Sequence, residues 1–229
     1  MALSKANPLH VVISGKTYDY LAFYFPGHNT DWDNVCGVPY FGNFWVEPFE
    51  VQLMGPVKAS FYTAEAAYQA SKWWDDSVIR NTFESKKTGG EAFDYSRNDL
   101  QNTPHKGEYG GYHTGEEAMF EILKSKFSDD HPDLKAALGA TGNAYLLEHG
   151  AKLKHHQDMV WSDGNNGTGT NHLGICLMKV RDFYFPGQGN PRASEDSAVV
   201  ILACEQALRA EMHQRGLSAD DKDATKIVK

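Results

Sequence analysis

Three polar side chains, Glu65, Gln69 and Lys72, stand four and three residues apart inside the segment TAEAAYQASKWW. On an α-helix that spacing projects all three from one face. A carboxylate, an amide and an amine held together offer an acceptor, an orienting group that both donates and accepts, and a nucleophile. Spacing alone favours a plainer interpretation, a solvated polar stripe. Tyr68, Trp73 and Trp74 flank the stripe, however, and rings that strip water from Lys72 lower its pKa toward that of a usable amine. The two tryptophans serve equally well as core residues and cation–π partners.

A second concentration of chemistry-bearing residues lies at 158–174, DMVWSDGNNGTGTNHLG. Its glycines and asparagines imply backbone at positive φ and exposed N–H groups, which suits a phosphate nest and a tight turn about equally. No GxGxxG follows a strand and opens a helix, so a dinucleotide-binding fold is not indicated. His155, His156 and Asp158 invite comparison with a metal site, but adjacent histidines point apart on either regular element. Neither HxxxH nor HExxH occurs, so no metal and no cofactor are expected. Cys36, Cys176 and Cys204 lack both CxxC spacing and a catalytic signature, and no GxSxG is present. Acyl transfer is therefore not indicated, and the cysteines read as reduced thiols.

These residues need elements to hold them. Short aromatic or β-branched runs between residues 10 and 60, punctuated by Gly, Pro, Asn and Asp, read as strands and loops. Thr63 is placed as the N-cap of a helix, and Thr114 with Glu117 forms a capping box before another. Between them, 85–113 keeps no period of 3.6 or 2 and reads as a long irregular connection. Pro132 suits the first turn of the helix DLKAAL, with Gly139 as a left-handed C-cap. A short helical run is expected near Tyr145 to His149, and ICLMKVRDFY fits strand or helix. Ser194 caps an amphipathic helix reaching about Gly216. The expected class is α+β and predominantly helical, a single domain with short N-terminal strands. Residues 1–190 form the catalytic domain, 191–216 a helix packed on or extending it, and 217–229 a flexible tail.

The 229 residues, 41% of them hydrophobic, suffice for one core. With 5 Trp, 11 Tyr and 12 Phe, some rings are free to line a pocket. A net charge of -8 argues against a broad basic footprint on nucleic acid and for a small ligand or one nucleotide held locally. The N-terminal segment lacks the pattern of a signal peptide, and no 18-residue apolar run occurs. The expected location is cytoplasmic, with the nucleus as the alternative in a eukaryotic host, and without a membrane.

Five blocks in order, FGNF (41–44), TAEAAYQASK (63–72), LKSKF (123–127), ATGNAYLLE (140–148) and DMVWSDGNNGTGTNHLGICLMKVR (158–181), resemble the NADAR or YbiA-like family. The similarity covers roughly residues 18–185, and the combination is specific where each block alone is weak. Departures are GNF for the usual SNF, WS for WG after Trp161, and Gly111 or Tyr112 where the family carries a tryptophan.

The resemblance implies cleavage of N-glycosidic bonds. The substrate is ADP-ribose on guanine bases, as in repair of modified nucleic acid, or a phosphorylated intermediate of riboflavin synthesis. A non-catalytic ADP-ribose reader is the reading from another class. Matching residue by residue, Glu65, Lys72 and Asp158 become the catalytic candidates, with Glu65 and Asp158 supplying negative charge at C1 and a proton donor. Lys72 is the candidate for a transient Schiff base. Gln69, Asn43, Phe44, Tyr112, Glu148, Trp161, Gly167, Gly169, Asn171 and Arg181 become substrate-binding candidates. Amides of Gly164 to Gly169 and Arg181 are expected to hold the pyrophosphate, and Trp161 or Tyr112 the adenine.

Overall fold

A computed structural model of the chain describes residues 3–24, 33–150, 158–187 and 197–217. The hairpin of β1 (Leu9–Ile13) and β2 (Lys16–Tyr24) turns on Ser14 and Gly15, both at positive φ (51° and 77°), the geometry a two-residue hairpin loop requires. β5 (Tyr145–His149) joins β2 in parallel, with Tyr20 opposite Tyr145 and Phe23 opposite Glu148, giving the order β1-β2-β5. A separate antiparallel pair is made of β3 (Phe49–Gln52) and β4 (Lys58–Phe61).

Helices fill the space around these sheets. After the short α1 (Asp33–Cys36) and a 3-10 turn (Pro39–Phe41), α2 (Ala64–Ser71) enters the core with all eight residues buried. Alanines at 64, 66, 67 and 70 let it sink between α3 (Ser77–Ser85), α4 (Gly89–Asp94), α5 (Gly115–Lys126) and β4. α6 (Pro132–Gly139) and α7 (His172–Tyr184) follow, α7 lying against α5 and β5. α8 (Ser197–Gln214) packs on β1 and β5. The architecture is the expected α+β class. Among the described residues no helix is long and apolar enough to cross a membrane.

Several local expectations change. The 85–113 connection is not wholly irregular: Thr88 and Glu91 form a capping box that starts α4, and a π-helical turn (Tyr95–Asp99) continues it. Six residues are too few to display a helical period, and a π turn breaks what period there is. Tyr145–His149 is a strand, not a helix. Every residue in it is buried, so its apolar run carries no alternation. All of ICLMKVRDFY and the three residues before it are helical, as α7. Gly139 ends α6 without positive φ, since Ala140 is the right-handed C-cap and Gly142, at φ 57°, makes the reversal. The reason for Gly139 is packing, because a Cβ there would sit 2.6 Å from the Phe185 ring. Ser194 and residues 218–229 lie outside the described residues, as do His155 and His156.

Candidate active site

The polar face of α2 is not a solvated stripe. Thr63 caps the helix by accepting from the Ala66 amide at 3.1 Å, which fixes Glu65 in the first turn, where the helix dipole favours negative charge. The Glu65 amide donates to the Asn43 carbonyl at 3.0 Å, tying α2 to the FGNF turn. Glu65 and Gln69 are 6% and 7% exposed, so their polar atoms must pair with each other. They do so in a relay. Gln69 Nε2 donates to Glu65 Oε1 at 2.7 Å, and Lys72 Nζ donates to Gln69 Oε1 at 2.7 Å. Ser96 Oγ, from the π turn, donates to the same Gln69 oxygen at 2.8 Å. Gln69 thereby fixes the amine and the carboxylate at the two ends of one amide.

Two more carboxylates face this relay from other elements. Glu148, at the end of β5, is 2% exposed, and its Oε2 is buried with no hydrogen-bond partner. Asp158, at the start of the Gly/Asn loop, accepts the Val160 and Trp161 amides on Oδ1 at 3.0 and 2.8 Å. Burial pushes Glu65 up to about 7, against the Gln69 hydrogen bond and the Lys72 charge, and Asp158 pushes it further. Burial likewise lifts Glu148 well above the carboxylate range, with Asp158, Glu65 and Asp163 adding repulsion. Lys72 is pulled down, first by burial, with Glu65 opposing and Arg97 assisting. Three carboxylates this close in low dielectric cannot all ionise, so the cluster retains a proton at neutral pH. The site therefore holds two carboxyl groups raised above their ordinary range beside an amine lowered below its own.

Aromatic rings wall this cluster. Tyr68 lies between Lys72, whose Nζ is 5.1 Å from its ring centroid, and Trp161, 5.0 Å away edge to face. Tyr109 stacks on Tyr68 at 6.0 Å, 14° from parallel. Asn43 is buried with its Oδ1 unpartnered, and Phe44 packs on Phe93 at 6.3 Å. The turn bearing Asn43 and Phe44 is held by Lys126, whose fully buried Nζ donates to the Tyr40 and Gly42 carbonyls, both at 2.9 Å. A cavity of 260 Å³ opens beside Lys72, with Trp73, Asp75, His105, Lys106 and Glu108 in its wall. None of the three carboxylates lines it.

Other candidates from the sequence turn out to be scaffold. Arg181 is fully buried and donates through Nη1 to Thr141 Oγ1 at 2.9 Å and the Ala144 carbonyl at 2.8 Å, so it braces the turn before β5. Asn171, at φ 52°, accepts the Glu148 amide on Oδ1 and donates through Nδ2 to Tyr145 Oη and the Leu146 carbonyl. It staples the loop to β5 and thus places Glu148. A Cβ on Gly167 would meet the Leu202 backbone of α8 at 2.9 Å, and one on Gly169 would meet the Ser162 carbonyl at 2.3 Å. Both glycines answer to packing.

The expected phosphate nest is also spent internally. The amides of Gly164, Asn165, Thr168 and Gly169 donate to Ser162 Oγ, Asp163 Oδ1, Asn166 Oδ1 and the Asp163 carbonyl. Asp163 is the hub, taking in addition the Gly150 amide and His149 Nδ1 at 2.6 Å. Tyr112 stands near Glu121 and Glu117, while Tyr109 takes the place against Tyr68. Among the described residues no group of three His, Cys, Asp or Glu is arranged to hold a metal ion.

Sequence reasoning missed Ser96, Arg97, Tyr109 and Lys126. The first three lie in the segment without period, and the last looks like an ordinary helix lysine. Only for Lys126 was there a signal, its place inside the LKSKF block.

Comparison with known proteins agrees with this geometry. Residues 30–183 match the NADAR domain family. Over 142 residues the chain is 31% identical to N-glycosidase YbiA of Shigella boydii serotype 4, covering 62% of this chain and 79% of that protein. It is 35% identical over 120 residues to the riboflavin biosynthesis protein VVA0006 of Vibrio vulnificus, covering 52% of this chain but 30% of the relative. The solution structure of the Escherichia coli protein YbiA superposes with a TM-score of 0.55 at 26% identity, over 79% of this chain and 91% of that one.

Proposed function

The chain belongs to the NADAR family, and on that premise we propose that it is an N-glycosidase hydrolysing ribosyl–nitrogen bonds, with ADP-ribose on guanine bases as its substrate. The observation that carries this reading is the buried Glu65–Gln69–Lys72 relay facing the unpartnered Glu148 carboxyl. A binding module gains nothing from burying such groups beside one another, because each costs desolvation energy that only chemistry repays. The printed names of the relatives, N-glycosidase YbiA and a riboflavin biosynthesis protein, support the bond class.

Departure of a base from ribose C1 passes through an oxocarbenium-like state that calls for negative charge near C1, a proton for the leaving nitrogen and exclusion of water. Glu65 and Asp158 provide the charge. Glu148, the carboxyl lifted furthest by its surroundings, provides the proton. Lys72, neutral when its pKa is depressed, attacks C1 as the C1–N bond breaks, and the departing base takes the Glu148 proton. The Lys72 nitrogen then gives one proton to the ring oxygen as the ribose opens and the other to the Glu148 carboxylate, leaving a Schiff base. Water adds to that carbon, the C–N bond to Lys72 breaks, and the free sugar closes.

No cofactor enters this scheme. The modified guanosine is held in nucleic acid or as a nucleotide, with contact limited to its neighbourhood, as the acidic net charge suggests. The catalytic unit extends through α8, since Arg209 donates to the Asn165 carbonyl and pairs with Glu205.

A phosphoribosylamino-pyrimidine of riboflavin synthesis is the second reading, favoured by similarity to the Vibrio protein. One experiment separates them. The full chain is incubated with an ADP-ribosylated guanine oligonucleotide and with the pyrimidine, and release of ADP-ribose or ribose phosphate is followed. Borohydride added during turnover traps a sugar on Lys72 if the Schiff base forms. Turnover without any trapped adduct would replace the lysine step by direct attack of water, and no turnover of either substrate would end the N-glycosidase reading.

A further inference from the structure

Both substrate readings carry a phosphoryl group on the ribose 5′ oxygen, and such a group calls for positive charge or free N–H donors. The sequence candidates for that role are turned inward: Arg181 is buried with Nη1 on Thr141 and Ala144, and the amides of Gly164, Asn165, Thr168 and Gly169 are bonded within their own loop. We propose that Arg97, on the π-helical turn Tyr95–Asp99, is the residue that recognises the 5′-phosphoryl group of a ribosyl substrate. The proposal rests on the N-glycosidase reading for the identity of the ligand, though not for the existence of an anion subsite.

Four observations place it. Ser96 Oγ, one residue before Arg97, is bonded to Gln69 at 2.8 Å, so the turn is pinned to the polar face of α2. Arg97 lies near enough to Lys72 to disfavour its ammonium form. Among the described residues Arg97 has no carboxylate partner, whereas Lys58, Lys106, Lys124 and Lys135 are each paired with one. Its guanidinium carbon is 5.2 Å from the centroid of Phe93, which in turn packs on Phe44. The ring steadies the planar fork without using its N–H donors.

Charge is thus divided across the site. Glu65, Glu148 and Asp158 bring negative charge to the relay, and Lys72 and Arg97 bring positive charge. A ribose 5′-phosphate has the matching polarity, with a carbon that turns cationic at C1 and a dianion at its far end. A phosphoryl group drawn to Arg97 leaves C1 toward Lys72 and the carboxylates. The π turn is what makes this placement available: the wide i to i+5 bond from the Leu100 amide to the Tyr95 carbonyl, 3.2 Å, spans Ser96, which is bonded to Gln69 of α2, and Arg97, which stays exposed.

The test uses the full chain, Arg97→Ala and Arg97→Lys. Binding of ribose 5-phosphate, ADP-ribose and unphosphorylated ribose is measured by calorimetry, and KM and kcat are measured on whichever ribosyl base turns over. Expected is a loss of about tenfold or more in affinity for both phosphorylated sugars with Arg97→Ala, and partial rescue by Arg97→Lys. KM should rise with kcat nearly kept, as for a group that binds substrate and transition state alike. Equal affinity of wild type and Arg97→Ala for ribose 5-phosphate overturns the proposal. So does a loss confined to ADP-ribose, which would put Arg97 on the outer phosphate, or a fall in kcat at constant KM. Arg97-dependent binding of ribose 5-phosphate by a protein that hydrolyses no ribosyl–nitrogen bond would keep the subsite and remove the enzymatic reading.

Discussion

The face of α2 and the Gly/Asn loop are equally rich in polar groups, yet they differ in what those groups have left to give. On α2, Glu65, Gln69 and Lys72 form a short relay whose ends face unpartnered Glu148 and half-buried Asp158. In the loop, the amides of Gly164, Asn165, Thr168 and Gly169 are taken by Ser162, Asp163 and Asn166, and Asn171 is bonded to β5. Buried polar groups that are fully paired rigidify a structure, and buried groups left short of partners are where chemistry or binding resides. The loop is the frame that holds Asp158 and Glu148, and the helix face is where the proposed chemistry is placed.

That contrast predicts opposite signatures for substitutions in the two regions. The largest effect belongs to the helix face: Lys72→Ala and Glu148→Gln should each lower kcat by about a thousandfold with the melting temperature hardly moved. A rate loss under tenfold for both, measured on the substrate that wild type turns over, would reduce the relay to structure. In the loop, Asn171→Ala removes three hydrogen bonds to β5 and places alanine at φ 52°, so the fold should lose about 2–4 kcal/mol in urea unfolding. An unchanged midpoint would mean that the loop is no scaffold. Gly167→Ala, pressed 2.9 Å from the Leu202 backbone, should cost about 1–3 kcal/mol and loosen α8.

The smallest effect is one of sign. Glu65 is pushed from 4.5 up to about 7 in the folded protein, so the folded state binds more protons than the unfolded one in that window. Stability should accordingly fall as pH rises from 4.5 to 7. Glu65→Gln should flatten that slope and add about 1 kcal/mol at pH 8, while lowering activity. A Glu65→Gln protein less stable than wild type at pH 8 would show that the carboxylate is favourably paired there.

Much of the fold was legible locally. Thr63 and the Thr114–Glu117 box cap their helices through side chain to backbone bonds that need no distant partner. The hairpin at Ser14 and Gly15 is likewise local. What failed was structure fixed from outside. β5 is a strand because β2, more than a hundred residues earlier, pairs with it. α4 and its π turn are too short to announce themselves, and with them Ser96 and Arg97 were lost.

The site divides along the same line. Residue types and spacing by themselves determined that Glu65, Gln69 and Lys72 share one helical face, and that the 158–174 segment adopts positive φ, because backbone geometry is a property of adjacent residues. Only the tertiary structure decided which of these groups are buried and which bonds they have already made. Arg181 and Asn171 looked like ligand contacts until partners distant in sequence engaged them, and the loop amides until side chains of their own loop did. Glu148 was a substrate-binding candidate on an expected helical run, and only the strand that buries it among three carboxylates lifts its pKa. Desolvation and hydrogen-bond satisfaction depend on everything nearby in space, and sequence alone fixes only the neighbours along the chain.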